Sequence, residues 1–156
     1  MKIVVLSIQS SKEKWFDLLK ENYSEKIGHF CSFEIKELKA KSMGRDERVA
    51  KRKAETEALL AEIKNDDLLI SLDEKGQNVD SIQFSKSLNQ AMMSGKKRLV
   101  FVIGGAYGIE QTLLAKSQHV LSLSPFVLNH RIAQSVLLEQ IYRGFAILKN
   151  LPYHNE

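Results

Sequence analysis

Residues 98–108 read Arg98-Leu99-Val100-Phe101-Val102-Ile103-Gly104-Gly105-Ala106-Tyr107-Gly108. The run from Leu99 to Ile103 is apolar at every position, so it leaves no face for water. A strand covered on both sides has this pattern, which favours a parallel sheet between two layers of helices. The glycines that follow let the chain turn sharply and let a ligand approach the backbone with no Cβ in the way. Ligands in open α/β sheets sit outside the carboxyl ends of the strands, so the bend is well placed to meet one. A simple tight turn is the other reading of the same two glycines. The pattern is not G-x-G-x-x-G and no Walker lysine follows, so it supports neither a standard dinucleotide fold nor a P-loop.

Working outward, Leu68-Leu69-Ile70 repeats the buried-strand pattern within a strand over Asp67–Leu72. Further strands are predicted at Lys2–Ser7, Cys31–Leu38, Arg98–Ile103 and Val120–Leu123; the second alternates in the manner of a half-exposed edge. Helical spacing covers Lys12–Tyr23 (Trp15, Phe16, Leu18, Leu19, Tyr23), Ile82–Met93, a short piece near Glu110–Lys116 and a long one over Arg131–Asn150. From Gly44 to Ile63 the chain reads as a loop leading into a solvated helix. Strand and helix alternate five times, which predicts an α/β fold: an open parallel sheet with helices on both faces. With 156 residues, no repeat and no linker-like tract, residues 1–156 are expected to form one domain.

Two more strand ends carry loops, Leu72-Asp73-Glu74-Lys75-Gly76 and Leu121-Ser122-Leu123-Ser124-Pro125-Phe126-Val127-Leu128, the latter leading through Asn129 to His130 at the start of the last helix. Together with the glycine bend they are expected to form one concave site, whose apolar walls and backbone groups would suit a neutral planar base. The last helix is apolar around much of its circumference, from Ile132 to Leu148. Such an arc needs a second covering surface: either neighbouring elements of the same chain or a second copy in a dimer.

Composition narrows the function classes. A chain 44% hydrophobic and 27% charged, with two prolines, is neither disordered nor collagen-like. A lone Cys31 forms no internal disulfide, which points to a reducing cytoplasm. The Ile3-Val4-Val5-Leu6 run is too short for a signal-peptide core, and no stretch nears the ~18 apolar residues of a membrane span. Neither export nor membrane binding is expected. His29, His119, His130 and His154 have no partners at metal-ligand spacing, so no metal is predicted. No G-x-S-x-G elbow is present. Taken alone, His130 reads either as a capping residue or as a catalyst.

The net charge is +4, and the window Lys39–Lys53 holds seven basic residues against two acids. The positive excess is thus confined to one segment, either a solvated helix face or the footprint of a polyanionic partner.

The Gly104-Gly105-Ala106-Tyr107-Gly108 bend, Leu121-Ser122-Leu123-Ser124, His130, Leu138-Glu139-Gln140-Ile141-Tyr142-Arg143-Gly144 and the terminal Pro152-Tyr153-His154 occur in one order along the chain. In that order, and over essentially its full length, the chain resembles the RlmH-type ribosomal RNA methyltransferases of the SPOUT superfamily. The resemblance implies a homodimer with a trefoil knot near the carboxyl end and S-adenosylmethionine bound within the knot. It implies methylation at N3 of a pseudouridine in large-subunit (23S) ribosomal RNA, on assembled ribosomes. By matching positions, Leu72, Gly104, Leu123, Ser124, Pro125, Phe126, Val127 and Leu128 would contact the cofactor. Gly105, His130, Tyr153 and His154 would lie at the catalytic centre. Arg45, Arg48, Lys51 and Arg52, with Arg131 and Arg143, are the expected RNA contacts.

Three positions depart from the family pattern. Asn129 stands where proline is usual, Gln134 where arginine is usual and Asn155 where a basic residue is usual. The two absent cations open an alternative, a SPOUT-fold RNA-binding protein with weakened or silent catalysis, unless Arg131 or Arg143 compensates. A nucleotide-binding α/β enzyme of another kind would rest on the glycine turn alone.

Overall fold

A computed structural model describes residues 1–40 and 47–153. Strands and helices alternate along it as β1 (Lys2–Ile8), α1 (Lys14–Gly28), β2 (Ser32–Leu38), α2 (Arg48–Glu62), β3 (Leu68–Asn78), α3 (Ser81–Met93), β4 (Arg98–Ile103), α4 (Gln111–Leu114), β5 (His119–Ser122) and α5 (His130–Leu148). The strands pair in parallel in the order β2-β1-β4-β3-β5. This is the predicted α/β sheet with helices on both faces.

The alternation of side chains along β1 and β4 explains the layering. Ile3, Val5, Leu99 and Phe101 pack on one face with Ile27 of α1, Phe84 and Leu88 of α3, and Leu137, Ile141 and Phe145 of α5. Val4, Leu6, Val100 and Val102 pack on the other with Leu59 of α2 and Leu113 of α4. Because both faces are dry, both phases of the strand are apolar, and the sequence shows an unbroken run where a one-sided sheet would alternate.

Two differences from the sequence expectation matter for the site. α1 runs to Gly28, beyond the predicted end at Tyr23. β3 does not stop at Leu72: Leu72 and Gln77 both pair with Leu121, so residues 73–76 leave the ladder and the strand then resumes. Gly76 makes this possible, because a Cβ there would lie 2.6 Å from the Leu121 carbonyl carbon and 2.7 Å from the Val120 oxygen.

The apolar arc of α5 is covered largely from within the chain. The helix packs against both α1 and α3, and Phe145 stacks on Phe30 at 5.1 Å. Ile132, 42% exposed, is the main apolar residue left outside.

The start of α5 corrects one expectation. Arg131, one of the expected RNA contacts, is 3% exposed. Its guanidinium donates to the carbonyls of Ser11 (2.8 Å) and Ser10 (3.3 Å) and to Gln134 Oε1 (2.9 Å), pairs with the Glu37 carboxylate, and lies 4.5 Å from the Phe16 ring centroid. A cation with its donors spent on internal acceptors is not available to phosphate; it ties α5 to the ends of β1 and β2. Gln134 completes the tether by donating to Ser7 Oγ at 2.7 Å. Asn129, in the place of proline, caps the helix by accepting from the Arg131 N–H at 2.9 Å.

Candidate active site

The carboxyl ends of β3, β4 and β5 open into a cavity of about 840 Å³. The structure brings Leu72, Gly104, Gly105, Leu123, Ser124, Phe126, Val127, Leu128 and His130 into its wall. Pro125 is exposed and lies outside that lining. The β3 excursion contributes Asp73, Glu74 and Lys75, and Val120 and Leu121 add apolar surface. A flat ring system has walls to lie against, and a cationic end has acids to face. The volume falls within the few hundred to about a thousand Å³ usual for small-molecule sites.

The glycine bend is a tight turn and a cavity wall at once. Gly108 N–H donates to the Gly105 carbonyl at 3.0 Å. A Cβ on Gly105 would collide with the Glu55 carboxylate, which α2 presses against the outside of the bend. On the same helix face Thr56 Oγ1 accepts from the Glu110 N–H at 3.1 Å, so α2 grips the loop on both sides of the turn. Glu55 is 3% exposed, and its Oε2 has no hydrogen-bond partner among the described residues. Burial pushes its carboxyl above the ordinary range, with Lys51 opposing. Sequence reading assigned Glu55 no role. The available signal was its spacing, three residues after Arg52 and four before the buried Leu59, which puts an acid on the inward face of the helix, just after its basic first half.

His130 sits at the cavity with Nε2 buried and unpartnered among the described residues. Burial, then the adjacent Arg131 charge, holds its pKa below the ordinary 6.5; the backbone at Ile8 and Gly104 and the Glu37 carboxylate pull the other way. At neutral pH the imidazole is therefore uncharged and can accept a proton.

The other expected site residues are distributed differently. Arg52 lines the cavity, with its Nε buried and unpartnered among the described residues. Arg48 and Lys51 stand over the Tyr107 ring. Arg143 donates to Glu139 Oε1 at 2.7 Å and lies 4.8 Å from the Tyr153 ring centroid. Tyr153 is not in the cavity: its ring packs on Tyr142 at 4.7 Å, and its hydroxyl is 3.2 Å from Glu139 Oε1. Burial, the Tyr23 hydroxyl and the Glu139 charge raise its pKa, so it stays a neutral phenol. Tyr142 follows His130 by twelve helical residues, which puts the Tyr153 ring about 18 Å along the axis from the cavity end of α5. Arg45 and His154 lie outside the described residues, as does Asn155.

A family described as "Predicted SPOUT methyltransferase" matches residues 1–154. The chain belongs to that family. It is 43% identical over 155 residues to the Ribosomal RNA large subunit methyltransferase H of Bdellovibrio bacteriovorus, covering 99% of each chain. It is 34% identical over 157 residues to the protein of that name from Flavobacterium johnsoniae, covering 100% of both. It is 33% identical over 158 residues to that from Clostridium tetani, covering 99% of each. In this SPOUT methyltransferase, no group of three or more His, Cys, Asp or Glu among the described residues is placed to hold a metal ion. No helix among them is long and apolar enough to cross a membrane.

Proposed function

We propose that the protein methylates N3 of a pseudouridine in 23S ribosomal RNA on assembled ribosomes, with S-adenosylmethionine as donor. In this reading residues 1–156 form one domain that works in the cytoplasm as a homodimer, knotted near its carboxyl end. The observation that carries it is the convergence of the glycine bend, the Leu123–Leu128 loop and an uncharged His130 on one cavity at the strand ends. Membership of the methyltransferase family and the printed names of full-length relatives support the same reading.

The residues present fit the donor. Leu72, Leu123 and Leu128 would hold its adenine, the Gly104–Gly105 backbone would approach it closely, and Asp73 and Glu74 would face its positive end. S-adenosylmethionine supplies an electrophilic methyl carbon on a sulfonium. The chain must hold the base so that N3 stands in line at ~3–3.5 Å, since positioning supplies much of the rate. The N3 proton must also leave, and the uncharged imidazole of His130 in the cavity wall would accept it. Arg48, Lys51 and Arg52 would hold phosphates without reading sequence. The cation absent at position 134 is no vacancy in this wall: Gln134 is buried beside the Arg131 guanidinium, away from the cavity lining.

The test is methyl incorporation from labelled S-adenosylmethionine into ribosomes from a strain lacking the gene, followed by mass spectrometry of the ribosomal RNA. The expected result is one methyl on a pseudouridine of the large-subunit RNA. Binding of donor and ribosome with no label above background would establish the catalytically silent alternative. Absence of donor binding at millimolar concentration would overturn both.

A further inference from the structure

The cavity rim carries an aromatic ring that the chemistry above does not use. Tyr107 lies in the bend after β4, half-buried, and lines the cavity. Two cations from the first turn of α2 stand over its ring, Arg48 Cζ at 5.8 Å and Lys51 Nζ at 5.5 Å from the centroid. Arg52, next on the helix, lines the same cavity with an unpartnered buried Nε among the described residues. The charged groups around them are Glu55 behind Gly105 and, in the cavity wall, Asp73, Glu74 and Lys75.

Exposed cation–π contacts contribute only about 0.5–1 kcal/mol each. Ordering a long basic side chain costs a comparable amount, so the cluster adds little to folding. Contacts this weak are readily exchanged, and the set matches what single-stranded nucleic acid requires once the two side chains turn from the ring to the adjoining phosphates: a π-face for a base and cations next to it. The donor is the poorer occupant of this ring, because its sulfonium and ammonium would approach a surface already bearing two positive charges, whereas a polyanion is drawn to it.

We propose that Tyr107 is a stacking platform for a nucleobase of the RNA substrate, with Arg48, Lys51 and Arg52 holding the phosphates on either side. This rests on the RNA reading above and adds to it a residue that positions the strand at the cavity mouth.

The experiment compares wild type, Tyr107→Phe and Tyr107→Ala in three measurements: anisotropy with a fluorescein-labelled single-stranded uridine-rich RNA, calorimetry with S-adenosylmethionine, and methyl transfer to ribosomes. Tyr107→Ala should weaken RNA binding, and raise KM for ribosomes, by about tenfold or more. Tyr107→Phe should stay within about twofold of wild type, because the ring and not the hydroxyl does the stacking. Donor affinity should move by less than about twofold in both. Removing Arg48 and Lys51 together should lower the slope of log affinity against log salt by about 1.4. Equal RNA binding by wild type and Tyr107→Ala overturns the platform even where methyl transfer proceeds. Selective loss of donor binding overturns it by placing the ring on the cofactor's adenine, and loss in Tyr107→Phe equal to that in Tyr107→Ala overturns it by implicating the hydroxyl. Absence of methyl transfer with RNA binding that still depends on the ring removes only the catalytic reading.

Discussion

Glu55 occupies a costly position: a carboxylate shut away by α2 and the glycine bend, with one oxygen unpartnered among the described residues. Its folded pKa lies above the ordinary carboxylate value, so the folded state holds its proton to higher pH than the unfolded chain. Stability from this group is then greatest in acid and falls as pH rises through the folded value. Glu55→Gln keeps the shape and removes the charge. It should stabilise the protein at pH 7, because a buried amide costs less to desolvate than a buried carboxylate. Chemical denaturation at pH 7 and pH 4 checks this; the gain should shrink at pH 4, and a gain independent of pH would assign the effect to packing. His130 has the opposite sign. Its pKa lies below 6.5, so the uncharged form persists through neutral pH and activity should begin to fall only in more acidic buffer. Replacing it with alanine should lower kcat by about 10²-fold or more, the lower end of general acid–base contributions. Donor affinity by calorimetry should change far less, and equal losses in both would remove His130 from the chemistry.

Among the elements, the β3 excursion is the part on which the cavity most depends. Residues 73–76 project from the ladder only because Gly76 lies flat on the β5 backbone. Gly76→Ala would drive a Cβ into the main chain of Val120 and Leu121, and backbone cannot move aside as a side-chain tip can. We expect about 1–3 kcal/mol of destabilisation, typical of overpacking, and a loss of donor affinity larger than that of a control alanine at Lys75. Equilibrium denaturation and calorimetry read the two effects. The strands were legible in the sequence because both of their faces are dry, and that writes itself as an unbroken apolar run such as Leu99–Ile103. The resumption of β3 after Leu72 was not legible, because polar residues 73–75 serve a cavity and look like any loop. Nor was the burial of Arg131. Its acceptors, Glu37 and the Ser10 and Ser11 carbonyls, come from parts of the chain about 90–120 residues away, and no local pattern announces them. The cavity loops were legible because a parallel sheet delivers its strand ends to one edge; the grip of Glu55 and Thr56 on that edge depends on how α2 docks.

For the molecule as a whole, the separation of His130 from Tyr153 decides how many chains make one site. One protomer holds the uncharged imidazole at the cavity and the neutral phenol with Arg143 and Glu139 far down α5, about 18 Å by helix rise. Both can act on one base only if a second copy brings its Tyr153 to the first copy's cavity. Surface is available for such a contact: Trp15 and Leu18 on α1 and Ile132 at the start of α5 are 43%, 69% and 42% exposed, on two helices that pack together. An isologous dimer would pair like with like about a two-fold axis, and a shared site requires that each of its two cavities receive the far end of the second copy's α5. Complementation tests this directly. His130→Ala and Tyr153→Ala should each be inactive as pure preparations, with His130→Ala retaining donor binding. Mixed in equal amounts and allowed to exchange subunits, half of the dimers are mixed and each carries one intact cavity, so methyl transfer should return to about a quarter of the wild-type rate. Adding Ile132→Asp to both variants should abolish the recovery and shift the sedimenting species toward the monomer. If the mixture stays inactive while mass spectrometry shows that subunits have exchanged, the site is complete within one chain and Tyr153 acts only as packing for α5.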